Sequence, residues 1–333
     1  MKSEEHPVPV QLKESSKSSA SHPALPVPSS TKRKARKRRS GPVDVVREAI
    51  NTLDGRISGM VEQGAEGSLD LRNPAVLQTF VDVMTPVVEW YFRGEVKYLE
   101  RIPQDRGVMC VGNHSGGVLI PDSWVLMVEF VRFFGTERVS YALAHNLVLG
   151  LPVVGDFLRK VGTIPAHPQH AREALRRGAA VLVYPGGDED TLRPWSKRNQ
   201  IHLGRRTGFI RLALEEHVPI VPVVSIGGHE TLFVLNDGRK TARLLHLDRF
   251  RLKSLPIVIA PPWGISPGDL LLHIPLPAKI MTEVGEPIDF HAEFGELDPH
   301  DPDVLWACYA LVEHRMQSML DKLASERRFP IIG

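Results

Sequence analysis

From about residue 96 the chain alternates short, wholly apolar runs with segments of helical spacing, and this limits the fold more than any other feature. The apolar runs are 108–112, 139–143, 179–184 and 220–225. Segments 123–134, 171–177 and 208–216 read as helices between them; Pro121 and Asp122 precede the first and Gly178 follows the second. A strand apolar on both faces must be covered on both faces, and intervening helices supply that cover. The expected fold is an α/β domain with a largely parallel central sheet flanked by helices.

The rest of the chain divides around this domain, expected over 95–333. Residues 42–94 hold two helical patterns, 43–64 and 74–93, the second apolar, ending in Trp90-Tyr91-Phe92 and kinked at Pro86. Packing on the domain and lying in a bilayer interface both suit that helix. Residues 1–41 are Ser-, Pro- and Lys-rich and are expected to be a disordered basic tail. Residues 32–39 carry seven positive charges in eight positions. An anionic lipid surface is the expected partner of that run, with a solvated run without a partner and nucleic acid as the alternatives. With no aromatic interleaved, it offers no stacking platform for nucleic acid. Stretch 252–281 is apolar but studded with Pro, which fits edge strands or an apolar loop.

Two cysteines, Cys110 and Cys308, are too few and too far apart for a disulfide framework, and a reducing compartment suits them. No apolar core with a cleavage site opens the chain, and no run nears the ~18 apolar residues of a spanning helix. Membrane contact is therefore expected to be peripheral, on the cytoplasmic side.

Two Gly-rich turns follow buried strands, the place where open α/β sheets bind ligands. The first is Gly112-Asn113-His114-Ser115-Gly116-Gly117, with Asp122 beyond it. An imidazole there titrates near working pH. Asp122 can fix its tautomer, cap the following helix, or do both. The second is Tyr184-Pro185-Gly186-Gly187, where the N–H groups of Gly186 and Gly187 are candidate donors to an oxyanion or a phosphate. Arg193, Arg198, Arg205 and Arg206 follow, as phosphate holders or as a solvated basic face. Ser115 lacks the Gly-x-Ser-x-Gly spacing of a hydrolase nucleophile. His167-Pro168-Gln169-His170 is a poor ligand set, so no metal is expected.

Over about 95–292 the ordered pieces together resemble the glycerolipid acyltransferase superfamily, nearest its diacylglycerol acyltransferase-like branch. Asn113-His114-Ser115-Gly116-Gly117 with Asp122 resembles the catalytic block. Residues 149–157 with 161–165 resemble the second block, Tyr184-Pro185-Gly186-Gly187 the third, and 218–223 the fourth. Gly285-Glu286-Pro287-Ile288 resembles a C-terminal element of the family. The family's usual Asp lies five positions after the His, where this chain has Leu119; Asp122 stands at eight, so pairing depends on loop geometry. Gly186-Gly187-Asp188-Glu189 replaces the Glu-Gly-Thr-Arg of phosphate-acceptor members, with Glu189 on the acceptor side, and the Arg common in the second block's tail is absent. The resemblance implies acyl transfer from an acyl-CoA or acyl carrier protein thioester, as co-substrate, to a lipid hydroxyl, with His114 as general base and no further cofactor. The alternative is a non-enzymatic peripheral protein that binds anionic lipid through its tail.

Overall fold

Among the described residues the central sheet has seven strands, and its middle is a strand buried along its whole length, β2. The computed structural model describes residues 42–238, 243, 256–269, 273–327 and 329. The expected tail, 1–41, lies outside the described residues. In chain order the strands are β1 (Glu95–Lys97), β2 (Val108–Gly112), β3 (Ser140–Ala144), β4 (Thr163–Pro165), β5 (Ala180–Val183), β6 (Ile220–Ile226), β7 (Phe233–Val234), β8 (Ile257–Ala260), β9 (Gly264–Pro267) and β10 (Met281–Val284). The large sheet runs β1-β10-β6-β2-β5-β3-β4. Strands β6, β2, β5, β3 and β4 are parallel, while β10 joins β6 antiparallel and β1 follows β10. The sheet is thus largely parallel, as the alternation predicts.

Helices α1 (Pro42–Ala65), α2 (Pro74–Pro86), α3 (Pro121–Phe134), α4 (Asn146–Leu149), α5 (Val154–Lys160), α6 (Pro168–Arg176), α7 (Asp188–Thr191) and α8 (Gly208–Glu215) precede a short helix, Phe290–Phe294, and a long one, Pro302–Glu326. Residues 50–333 cluster as one unit; in the other, 1–49, the described residues are the opening turns of α1.

Successive β2 side chains point to opposite faces. Met109 and Val111 join a core with Leu175, Ile210, Val312, Met316 and Leu320, from α6, α8 and the long C-terminal helix. Val108 and Cys110 join the other core, with Leu77 and Val81 of α2, Val125 and Val128 of α3, and Leu158 of α5. Both cysteines are free and buried, and burial pushes the Cys110 thiol up to about 12. Such a thiol is inert.

Asn73 caps α2, its side chain accepting from the N–H groups of Ala75 and Val76. Pro86 cannot donate to the helix ladder, and the chain continues as a wider π-type turn over Val87–Tyr91. This element packs on the domain through Leu77, Val81, Val88 and Phe92, yet leaves Val83 and Trp90 exposed, Trp90 by 81%. Arg159 fastens the end of α1, donating to the carbonyls of Gln63 (3.2 Å) and Glu66 (3.0 Å).

In the Pro-rich stretch, β8 and β9 form an antiparallel hairpin that pairs with β7 as a second, three-stranded sheet. Residues 252–255 and 270–272 lie outside the described ones. No helix among the described residues is long and apolar enough to cross a membrane.

Candidate active site

Beyond β2 the chain makes a loop that ends in α3, and this loop presents the candidate base. Asn113 anchors its start, donating through Nδ2 to the Ser225 carbonyl and accepting the Ser225 N–H through Oδ1, both at 2.8 Å. A 3₁₀ turn, Gly117–Leu119, and Ile120 in the left-handed region (φ 44°) swing the chain round into α3. A β-branched residue there is strained. The Leu119 carbonyl accepts from Trp124 Nε1 (2.6 Å) and helps hold it.

This reversal brings Asp122 back onto His114, with Nδ1 to Oδ2 at 3.2 Å. The same oxygen accepts the Ser115 N–H (2.8 Å), and Oδ1 accepts the Ser123 N–H (2.7 Å). With both oxygens accepting, His114 donates through Nδ1–H and its Nε2 carries the lone pair. Asp122 thus orients the imidazole from inside the first turn of α3; the N-cap position expected of it is held by Ile120, without a side-chain cap, because Pro121 already opens the helix. The spacing of eight is no obstacle to the pairing.

Tyr184, at the end of β5, lies flat on the His114 ring, with centroids 4.0 Å apart and planes 8° from parallel. A Cβ on Gly112 would come within 2.5 Å of the Tyr184 ring, so the glycine makes room for the stack. The Tyr184 hydroxyl accepts from Ser123 Oγ at 2.9 Å. Burial and the neighbouring Asp122 push the phenol well up, keeping it protonated.

The two Gly-rich turns are joined by Asp190, a residue the sequence does not single out. Its Oδ2 accepts the His114 N–H at 2.6 Å, and its carboxylate lies 2.8 Å from Arg193 Nε. Asp190 is wholly buried, and desolvation raises it to about 6 against the pull of Arg193. Arg193 also donates to His229 Nε2 (3.2 Å) and to the Lys197 carbonyl (3.2 Å). Burial, then the charges of Arg193 and Arg198, depress His229 to about 3, so it stays neutral and accepts.

The other expected site residues divide. Arg193, expected as a phosphate holder, is buried in the Asp190 network beneath the loop. The Gly187 N–H closes a turn onto the Tyr184 carbonyl (3.1 Å), leaving Gly186 as the candidate oxyanion donor of the two. Arg206 is exposed and lies against Gly187, donating to the Pro185 carbonyl at 2.9 Å. Arg205 is exposed over the Trp306 ring, and Arg198 is half-buried over Trp195. Glu189 is exposed, 3.5 Å from His202 Nε2. His167 accepts the Gln169 N–H through Nδ1 (3.3 Å) and so caps α6.

On the far side of the loop sits a second pair the sequence also leaves unmarked. Asp269 accepts from His273 Nδ1 at 2.7 Å and from the Val118 N–H at 2.7 Å. Both side chains are about 2% exposed. Gly117 (φ 69°) would drive a Cβ into Asp269 Oδ2, so only glycine admits the carboxylate.

Residues 93–226 match the model of the Acyltransferase family. An uncharacterised protein of Mycobacterium tuberculosis is 32% identical over 243 residues, covering 73% of this chain and 65% of the relative. Diacylglycerol O-acyltransferase 2 of Dictyostelium discoideum is 33% identical over 163 residues, 46% of this chain and 48% of that protein. Diacylglycerol O-acyltransferase 2B of Umbelopsis ramanniana is 27% identical over 221 residues, 61% of each chain. This chain therefore spans between about half and just under two thirds of these relatives' length. Among solved structures, the 1-acyl-sn-glycerophosphate acyltransferase PlsC of Thermotoga maritima is similar at 18% identity and a TM-score of 0.45, covering 76% of this chain and 81% of its own.

Proposed function

The chain belongs to the glycerolipid acyltransferase superfamily, near its diacylglycerol acyltransferase-like branch, and from that premise we propose that it transfers a fatty acyl group from a thioester to a lipid hydroxyl. The observation that carries the reading is the His114–Asp122 pair at the carboxyl end of β2, with Nδ1 engaged and Nε2 bearing the lone pair.

His114 Nε2 takes the acceptor's hydroxyl proton as that oxygen attacks the thioester carbonyl. Asp122 stabilises the imidazolium. The Gly186 N–H is the donor offered to the oxyanion of the tetrahedral intermediate. Collapse breaks the C–S bond, and the thiolate leaves with the proton that the imidazolium returns. A positioned general base contributes ~10²–10⁴-fold. Arg205 and Arg206, exposed beside the second turn, suit the phosphates of an acyl-CoA donor.

The acceptor proposed is a neutral hydroxyl, diacylglycerol or a long-chain alcohol. Two observations favour it: the third block lacks the Glu-Gly-Thr-Arg form, and Arg193, downstream of it, is buried in the Asp190 pair. Peripheral contact with an anionic membrane surface is part of the proposal; exposed Trp90 supports it, as does, in the sequence, the basic run 32–39.

The test is an assay of the purified chain with labelled acyl-CoA and a panel of acceptors: lysophospholipid, glycerol 3-phosphate, diacylglycerol and a long-chain alcohol. Transfer to a neutral acceptor that disappears in His114→Ala, with vesicle binding unchanged, is expected. Transfer to phosphate-bearing acceptors alone refutes the acceptor class. Activity that survives His114→Ala but vanishes on deleting residues 1–40 returns the chain to the lipid-binding alternative.

A further inference from the structure

At the opposite end of the sheet from His114, three side chains with metal-ligating atoms converge: His217, His291 and Glu296. One ligand atom from each lies within 4.8 Å of the others. The backbone brings them together. Ile220 and Ile288 form an antiparallel bridge, exchanging N–H···O bonds of 2.9 and 2.7 Å. His217 lies three residues before this bridge on one segment and His291 three after it on the other. Their rings stack with centroids 4.2 Å apart.

The hydrogen bonding fixes which atoms point inward. His291 Nε2 lies 3.1 Å from the Leu214 carbonyl, one of the last in α8. A carbonyl only accepts, so Nε2 carries the hydrogen and the neutral ring has its lone pair on Nδ1. That Nδ1 is buried without a hydrogen-bond partner and faces Glu296 Oε2 at 3.8 Å. A lone-pair nitrogen and a carboxylate oxygen that face each other at this distance leave room for a shared cation. A backbone carbonyl holding the far nitrogen of a histidine is the usual orienting contact of a metal ligand.

We propose that His217, His291 and Glu296 bind a divalent transition-metal ion of the zinc class, clipping residues 290–296 to the turn that enters β6. Two imidazole nitrogens and one carboxylate oxygen suit zinc and disfavour magnesium or calcium. The site is structural. β2 and β6 run parallel, so His217 precedes the sheet where His114 emerges from its far edge.

The test titrates the purified full chain with Zn²⁺ alone, in competition with a chromophoric chelator, and follows thermal unfolding in parallel. The comparison is His217→Asn with Glu296→Gln. Both side chains are exposed, and Asn accepts the left-handed backbone of His217 (φ 50°), so the double variant folds. The expected result is one Zn²⁺ site in the wild type that weakens at least about tenfold in the double variant. A melting temperature raised by Zn²⁺ in the wild type alone is expected too, with Mg²⁺ ineffective and acyl transfer unchanged in the variant. Equal Zn²⁺ affinity and stoichiometry in both proteins, or no Zn²⁺ binding by the wild type, overturns the proposal.

Discussion

Two histidine–carboxylate pairs grip the same loop from opposite sides. His114 meets Asp122 at 3.2 Å, and His273 meets Asp269 at 2.7 Å. Each carboxylate also holds a loop N–H, that of Ser115 or of Val118. By distance alone the second pair is the better one. Yet it is sealed: its side chains are about 2% exposed, and His273 Nε2 is buried without a hydrogen-bond partner. His114 keeps 11% of its side chain accessible and lies at the carboxyl end of the central strand. A His–Asp distance therefore does not mark a catalytic base; the surroundings of the second nitrogen decide. The His273 pair positions the loop that the His114 pair works from.

Substitution separates the two pairs most sharply. His114→Ala lowers acyl transfer by ~10²–10⁴-fold with little change in thermal stability. His273→Ala lowers transfer only severalfold but destabilises the fold. If both histidines cost equal activity at native stability, the distinction collapses. Asp122→Asn follows, losing about 10²-fold in the maximal rate while substrate affinity is kept, because the imidazolium loses its partner. Asp269→Asn is expected to act on the fold, costing about 1–3 kcal/mol in denaturant unfolding because the Val118 N–H loses its carboxylate.

A third histidine acts on stability through pH. His229 is depressed to about 3. The unfolded chain takes up a proton near pH 6.5 that the folded chain refuses. The stability this group contributes is complete above about 6.5 and is lost as pH falls toward about 3, by up to ~1.4 kcal/mol per pH unit. Asp190, raised to about 6, works with the opposite sign: its contribution is complete below about 3.8 and is lost as pH rises through about 6. The stability difference between wild type and His229→Gln, measured by urea unfolding from pH 7 to pH 4.5, isolates the histidine. It should move against the wild type as pH falls; a flat difference refutes the assignment.

The parallel strands, the intervening helices and the candidate base were legible in the sequence because each is local. Val108 to Gly112 is apolar on both faces, and His114 follows directly. The His114–Asp122 pairing was readable as a possibility, but the left-handed turn at Ile120 that produces it was not, since nothing in that residue type announces φ > 0. Asp190 was hidden for another reason. In Gly187-Asp188-Glu189-Asp190 it looks like one more acid of a solvated turn, and only the sheet order brings it to a residue 76 positions earlier. The burial of Arg193 was hidden by the same logic, since it is one cation of a basic stretch that turns inward to Asp190. Strand β10 and the second sheet lie in or beside Pro-rich sequence, where strand signals are weak.

Asn113 is clamped to Ser225, and Asp190 holds the His114 amide. Both partners lie downstream, so a nascent chain that has just released residues 113–122 from the ribosome has the reactive imidazole but not its mounting. The mounting is complete only once β6 has emerged and slotted in beside β2. On the proposed mechanism, synthesis order ties the completed mounting of His114 to the arrival of the sheet's sixth strand.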